Sequence, residues 1–90
     1  MRSDHGRGHD WPIRYADLRP FYDELQKEVG LSGDAEAERW RPSGDPYPMP
    51  PLLPLKQGEL LARAFAASGL HTAPAPMAIN SVDYGGRPAC

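Results

Sequence analysis

Cysteine is almost absent: Cys90 is the one thiol in ninety residues, so no internal disulfide can staple the chain and its thiolates alone cannot cage a metal. Cysteine usage therefore leaves the redox compartment undetermined. Core-forming side chains are also scarce, Leu, Ile, Val and Phe together making 15 of 90 residues, about 17% where chains below roughly 20% begin to lack core material. No run of about 18 apolar residues occurs, and Met1-Arg2-Ser3-Asp4-His5-Gly6-Arg7 has no apolar stretch behind its charges. The sequence thus predicts neither a transmembrane helix nor a signal peptide. Positive charge is not in excess, with 10 Lys and Arg against 12 Asp and Glu for a net charge of −2. Without a basic stripe to displace counterions, no nucleic-acid partner is expected.

What the chain has in quantity is proline and glycine, 11 and 9 residues. With serine they make about 28% of the sequence, inside the roughly 25–30% range of loop-rich composition. Ninety residues bound the chain to at most one small domain, too short for separate cofactor and substrate domains.

Two helices are predicted, over about 15–29 and 57–68. From Tyr15 to Val29 the residues Leu18, Phe21, Tyr22, Leu25 and Val29 recur at helical spacing along one face. Asp23, Glu24, Lys27 and Glu28 fall to its solvated side, and Gly30 stops it cheaply in a left-handed conformation. Pro20 leaves two readings: the helix begins near Arg19, or one longer helix kinks there. The second helix carries Leu60, Leu61, Ala64 and Phe65 on its stripe and Gly69 as its stop.

Between them, residues 30–56 form a Pro-rich extended loop in which Pro42, Pro46, Pro48, Pro50, Pro51 and Pro54 crowd together. One reading makes this run, with Tyr47 and Met49, a ligand for an SH3 or WW groove, although it lacks a clustered basic anchor. The other makes it a connection laid over something larger, since structureless links of this length are uncommon inside compact domains. Residues 77–80 have the character of a short edge strand, demoted by Pro74 and Pro76. Tyr84-Gly85-Gly86-Arg87-Pro88 reads as a turn, and the sequence closes at Cys90 without a polar tail, which reads as an interruption. Two short helices offer too little apolar surface to offset the ordering of the whole chain, so it is expected to need a larger body to pack on.

No constellation completes an active site. His5 and His9 with Asp4 and Asp10 would share a metal only on a helix, which Gly6 and Gly8 oppose, so a solvated terminus is the expectation. His71, just past a helix end, is placed to meet free carbonyls there. Gly85-Gly86 lacks the third glycine, the preceding strand and the following helix of a dinucleotide site.

The strings Asp10-Trp11-Pro12-Ile13-Arg14-Tyr15-Ala16-Asp17-Leu18-Arg19-Pro20-Phe21-Tyr22, Pro46-Tyr47-Pro48-Met49-Pro50-Pro51, Pro74-Ala75-Pro76-Met77-Ala78-Ile79-Asn80-Ser81 and Tyr84-Gly85-Gly86-Arg87-Pro88-Ala89-Cys90 occur in this order. Together they resemble part of a GMC (glucose-methanol-choline) FAD-dependent oxidoreductase, over about residues 8–90. The likeness is greatest to the catalytic subunits of bacterial gluconate, glucose, fructose and sorbitol dehydrogenases. It implies that residues 1–90 are a partial segment, from the substrate or cap region of an α+β parent with FAD and substrate domains. Such a parent oxidises the CH–OH group of a sugar, sugar acid or polyol, with hydride passing to the flavin and the hydroxyl proton to a histidine. The glycine-rich FAD loop and that histidine are not in this sequence, so the isolated chain is expected to be inactive.

The same resemblance implies partners: the remainder of the flavoprotein, the sugar or polyol, and a cytochrome c electron-acceptor subunit in a periplasmic or membrane-associated setting. It places Asn80, Ser81 and Tyr84 near flavin or substrate, with a structural role in the turn as the other reading. Gly86-Arg87-Pro88-Ala89-Cys90 resembles the opening of a cysteine cluster that holds an iron–sulfur centre, in which Cys90 would be the first ligand. A plain, unligated cysteine is the alternative.

Overall fold

Helix α1, Tyr15–Val29, begins where Arg14 is still extended. The carboxylate of Asp17 accepts the Arg14 backbone N–H at 2.8 Å, while the Asp17 N–H returns to the Arg14 carbonyl, so two polar groups at the helix entrance are satisfied locally. Pro20 lies inside this helix, which decides between the two readings of its start: one helix runs from Tyr15. At the other end Gly30 is left-handed, with φ 79°, and the N–H groups of Gly30 and Leu31 both donate to Gln26 O. Helix α2 spans Lys56–Ala67, one residue earlier at each end than the sequence indicates. Ser68 caps it, Gly69 turns left-handed at φ 75°, and Leu70 N–H reaches back to Phe65 O at 2.9 Å, which closes the last turn.

The computed structural model describes residues 5–90, and the two helices do not pack on each other. The edge strand expected near 77–80 is corrected to a single bridging residue. Met77 exchanges both backbone hydrogen bonds with Ser32, at 2.8 and 2.9 Å, and on the other flank Gly33 N–H donates to Met49 O while Met49 N–H donates to Leu31 O. No strand grows from these bridges among the described residues, since Pro48, Pro50, Pro74 and Pro76 deprive the neighbouring positions of donors. Ser32 and Met49 are each 1% exposed, and Met49 is the only buried apolar side chain among the described residues.

The greatest departure from expectation is the orientation of α1. Its apolar stripe turns outward, with Phe21, Tyr22, Leu25 and Val29 all exposed. Of the side expected to be solvated, Glu24, Lys27 and Glu28 are exposed, but Asp23 is drawn toward the chain, pairing with Arg19 and accepting the Asp45 N–H at 3.2 Å, and Lys27 pairs with Asp45 at 2.5 Å. On α2 the stripe of Leu60, Leu61 and Phe65 is likewise exposed. Helix periodicity identifies which residues share a face but not what covers it, and here the described residues do not cover it.

The resulting body measures 45 × 41 × 17 Å with a radius of gyration of 16.7 Å, against about 12 Å for a compact chain of this length. Its accessible surface is 7215 Å², where a compact monomer of this mass exposes about 5,200 Å². The excess, about 2,000 Å², is of the size that obligate interfaces bury.

Candidate functional site

The residues singled out near the end of the sequence come together around the C-terminus of α1. Tyr84 and Arg87 exchange backbone hydrogen bonds at 2.9 and 3.0 Å across Gly85 and Gly86, whose φ values of 54° and 74° make a tight two-residue turn that favours glycine at both centres. This turn is held against the helix end from two directions. The Tyr84 hydroxyl donates to Lys27 O at 2.7 Å, and Arg87 Nη2 donates to Val29 O at 3.1 Å. Both acceptors are among the last carbonyls of α1, which lack partners within the helix and carry its negative dipole end.

Asn80 and Ser81 complete the same unit. Asn80 Nδ2 donates to the carbonyls of Arg87 and Pro88, each at 3.2 Å, and Asn80 O accepts the Cys90 N–H at 2.9 Å. Ser81 Oγ donates to Pro50 O at 2.6 Å, tying the unit to the proline-rich loop, and Asp83 accepts the Ala89 N–H at 2.8 Å. Thus Asn80, Ser81 and Tyr84 all spend a donor on backbone carbonyls. Residues 80–90 form a self-bonded module seated on α1, with Cys90 exposed as a free thiol at its end.

The remaining candidates do not converge on it. Gly6 and Gly8 have positive φ, so His5 and His9 do not share a helix, and Asp4 lies outside the described residues. No group of three or more His, Cys, Asp or Glu among the described residues is arranged to hold a metal. His71 does not cap α2 as expected. It lies 2.6 Å from Ala37 O and meets the Trp40 ring edge-on at 5.6 Å. Tyr47 and Met49, which would present a polyproline ligand to a partner, face inward: Met49 is buried and the Tyr47 hydroxyl donates to Glu38 at 2.9 Å.

One feature without a clear signal in the sequence is the charged network between α1 and residues 38–47. Arg19, 9% exposed, donates to the Tyr15 hydroxyl at 2.8 Å and pairs with Asp23. The Asp23 carboxylate raises the Arg19 pKa, and the Arg19 guanidinium in turn holds the Asp23 carboxyl below its ordinary range. Asp45 raises the ammonium pKa of Lys27. Burial, with Glu38 adding to it, pushes the Tyr47 phenol up. An arginine in a helix repeat reads as surface charge, so nothing in the spacing marks Arg19 as buried.

No protein-family model matches the chain. Comparison with curated proteins is decisive. Paromamine 6'-oxidase from Streptomyces fradiae is 39% identical over 80 residues, 89% of this chain, and the fructose dehydrogenase large subunit from Gluconobacter japonicus is 32% identical across 100% of it. A 2-methyl-1,2-propanediol dehydrogenase from Mycolicibacterium austroafricanum is 38% identical over 89%. The chain matches a segment of the GMC-type oxidoreductases. It spans 14% of the length of the first and third relatives and 17% of the second. These relatives are oxidoreductases acting on CH–OH groups, and one is by name the large subunit of its enzyme.

The described residues of this GMC-type segment are mostly irregular. They form two helices and isolated bridges, without the strand–glycine loop–helix unit that cradles a dinucleotide. One thiol, Cys90, is too few donors for an iron–sulfur cluster. No helix of the described residues is long and apolar enough to cross a membrane.

Proposed function

We propose that this chain works as part of a flavin-dependent dehydrogenase or oxidase that oxidises the CH–OH group of a sugar, sugar acid or polyol, and that its task there is structural. The observation that carries this reading is the outward apolar face of both helices on a chain that matches a seventh or less of its relatives' length in two cases. Those faces pack on the remainder of the flavoprotein, which supplies the flavin, the hydride acceptor in such chemistry. No step of the oxidation is assigned to residues of this chain.

In this reading the module of residues 80–90 borders the flavin and substrate region. Asn80, Ser81 and Tyr84 fix its backbone through the bonds described above. Cys90 stands exposed at its edge, and a single thiol supports no cluster within this chain. An electron-acceptor subunit of cytochrome type is a partner that the large-subunit relative suggests. The alternative, a proline-rich docking ligand, is disfavoured by the inward placement of Tyr47 and Met49.

The test is anaerobic reduction of the complete flavoprotein by a panel of sugars, sugar acids and polyols, followed through the visible flavin band. Bleaching by at least one of these alcohols is expected. A polypeptide that carries no flavin, or a flavin that no alcohol in the panel reduces, would overturn the proposal.

A further inference from the structure

From Glu38 to Tyr47 the chain crosses the polar flank of α1 without burying one apolar side chain. Trp40 is 63% exposed, and Pro42, Ser43, Gly44 and Pro46 are exposed as well. What holds this crossing is charge and hydrogen bonding. Asp23 on α1 binds both Arg19 and the Asp45 backbone. Arg41 Nη2 donates to Asp45 O at 2.7 Å and to Gln26 of α1 at 3.3 Å, and its guanidinium lies over the Tyr47 ring at 4.6 Å. Glu38 lies 4.0 Å from Arg41 and accepts from Tyr47. Gly44 rests directly on the Arg19 guanidinium, leaving no room for a Cβ there.

We propose that residues 38–47 form a strap latched to α1 through Asp23, whose carboxylate is held by Arg19 on the same helix and accepts the Asp45 N–H of the strap, closed at neutral pH and able to lift. Beneath it lies an open groove of about 700 Å³ lined by Tyr15, Arg19, Asp23, Lys27, Ser43 and Asp45 among others. Closure is opposed by one buried group: Arg19 Nε has no hydrogen-bond partner, and an orphaned buried donor carries a desolvation penalty that water relieves when the strap lifts. A contact held by polar bonds against an opposing term can lift without unpacking apolar surface.

The pH sense follows from the groups that meet here. Asp23 faces Arg19 first, then the Asp45 N–H and Arg41, and all three lower its pKa against the opposing effect of desolvation. A carboxylate whose folded pKa is depressed contributes stability above its ordinary value of about 3.9 and loses it as the pH falls through the lower folded value. Lys27, raised by Asp45, acts in the opposite sense: its own contribution is lost as the pH rises through the raised ammonium value. Tyr15 and Glu24 face the groove from α1. Glu38, Arg41 and Tyr47 lie on the strap, and His71 meets Trp40 from the segment after α2.

Trypsin reads the latch at the Arg39–Trp40 bond, since cleavage there needs the strap to lift. In the complete polypeptide at neutral pH, Asp23→Asn is expected to raise the rate of that cut about tenfold. Lys27→Ala, which removes an exposed pair, is expected to change it by less than about twofold. Hydrogen exchange of the α1 amides separates opening from melting. Should Asp23→Asn melt the helix, Tyr15→Phe removes one bond to Arg19 without altering charge and is expected to accelerate the cut by a smaller factor. Equal cleavage rates in wild type and in whichever of these variants keeps α1 protected would overturn the latch, as would a wild-type strap cut as fast as an unfolded peptide.

Discussion

Residues 1–90, produced alone, are expected to lose their far-ultraviolet circular dichroism gradually on heating, with no sigmoidal transition and no response to added FAD. A cooperative transition requires a core that is lost all at once, and the described residues bury one apolar side chain, Met49. Their two helices, of 15 and 12 residues, sit at the limit of about 12–15 below which isolated helices are marginal in water. Neither supports the other, since they do not touch. Phe21, Leu25, Leu61 and Phe65 all lie on the wet side. The same residues within the larger polypeptide proposed above are expected to melt with it as one unit, because the faces then have something to cover them. A sharp transition of the isolated chain, or a midpoint raised by FAD, would show a self-sufficient module and remove the main support for a structural task within a larger enzyme.

The two helices and their stops were legible from elementary patterns, because an apolar repeat followed by glycine says the same thing in any context. Tyr15–Val29 with Gly30 and Lys56–Ala67 with Gly69 are such cases, as is the Gly85-Gly86 turn. The direction each helix faces was not legible. Periodicity groups Leu18, Phe21, Leu25 and Val29, but the partner that decides whether that group is inside does not lie within these residues, and α1 instead turns Arg19, Asp23 and Lys27 to its own loop. The bridges of Ser32 to Met49 and Met77 were equally hidden, since a residue paired on both sides by single bridges leaves no alternating run to read. Asn80, Ser81, Tyr84 and Cys90 were chosen through family resemblance, and no spacing rule would have found them. The structure shows why: their bonds go to backbone carbonyls at positions 27, 50, 80, 87 and 88, an arrangement that only the folded path brings together.

Gly30→Ala is expected to be the most damaging single methyl in the chain's candidate site, lowering stability at the junction of α1 and the 84–87 turn by about 2–4 kcal/mol. Two costs combine. Gly30 has φ 79°, a left-handed conformation that costs an L residue with a side chain roughly 1–2 kcal/mol. An added Cβ would also stand 2.9 Å from Tyr84 Cδ1 and 3.0 Å from Arg87 Nη2, so the two side chains that grip the last carbonyls of α1 must move away. Gly85→Ala separates these terms, because Gly85 shares the positive φ, at 54°, but meets nothing within 4 Å. It should cost the conformational part alone. In the larger polypeptide proposed above, Gly30→Ala is expected to lower the thermal midpoint more than Gly85→Ala and to raise hydrogen exchange at the Leu31 and Cys90 amides, which are donors at the helix end and in the module. Equal effects of the two variants would mean that Tyr84 and Arg87 do not hold the module in place. Unequal effects would show that the position of Cys90 is set from the end of α1, through a glycine that no pattern in the sequence distinguishes from an ordinary helix stop.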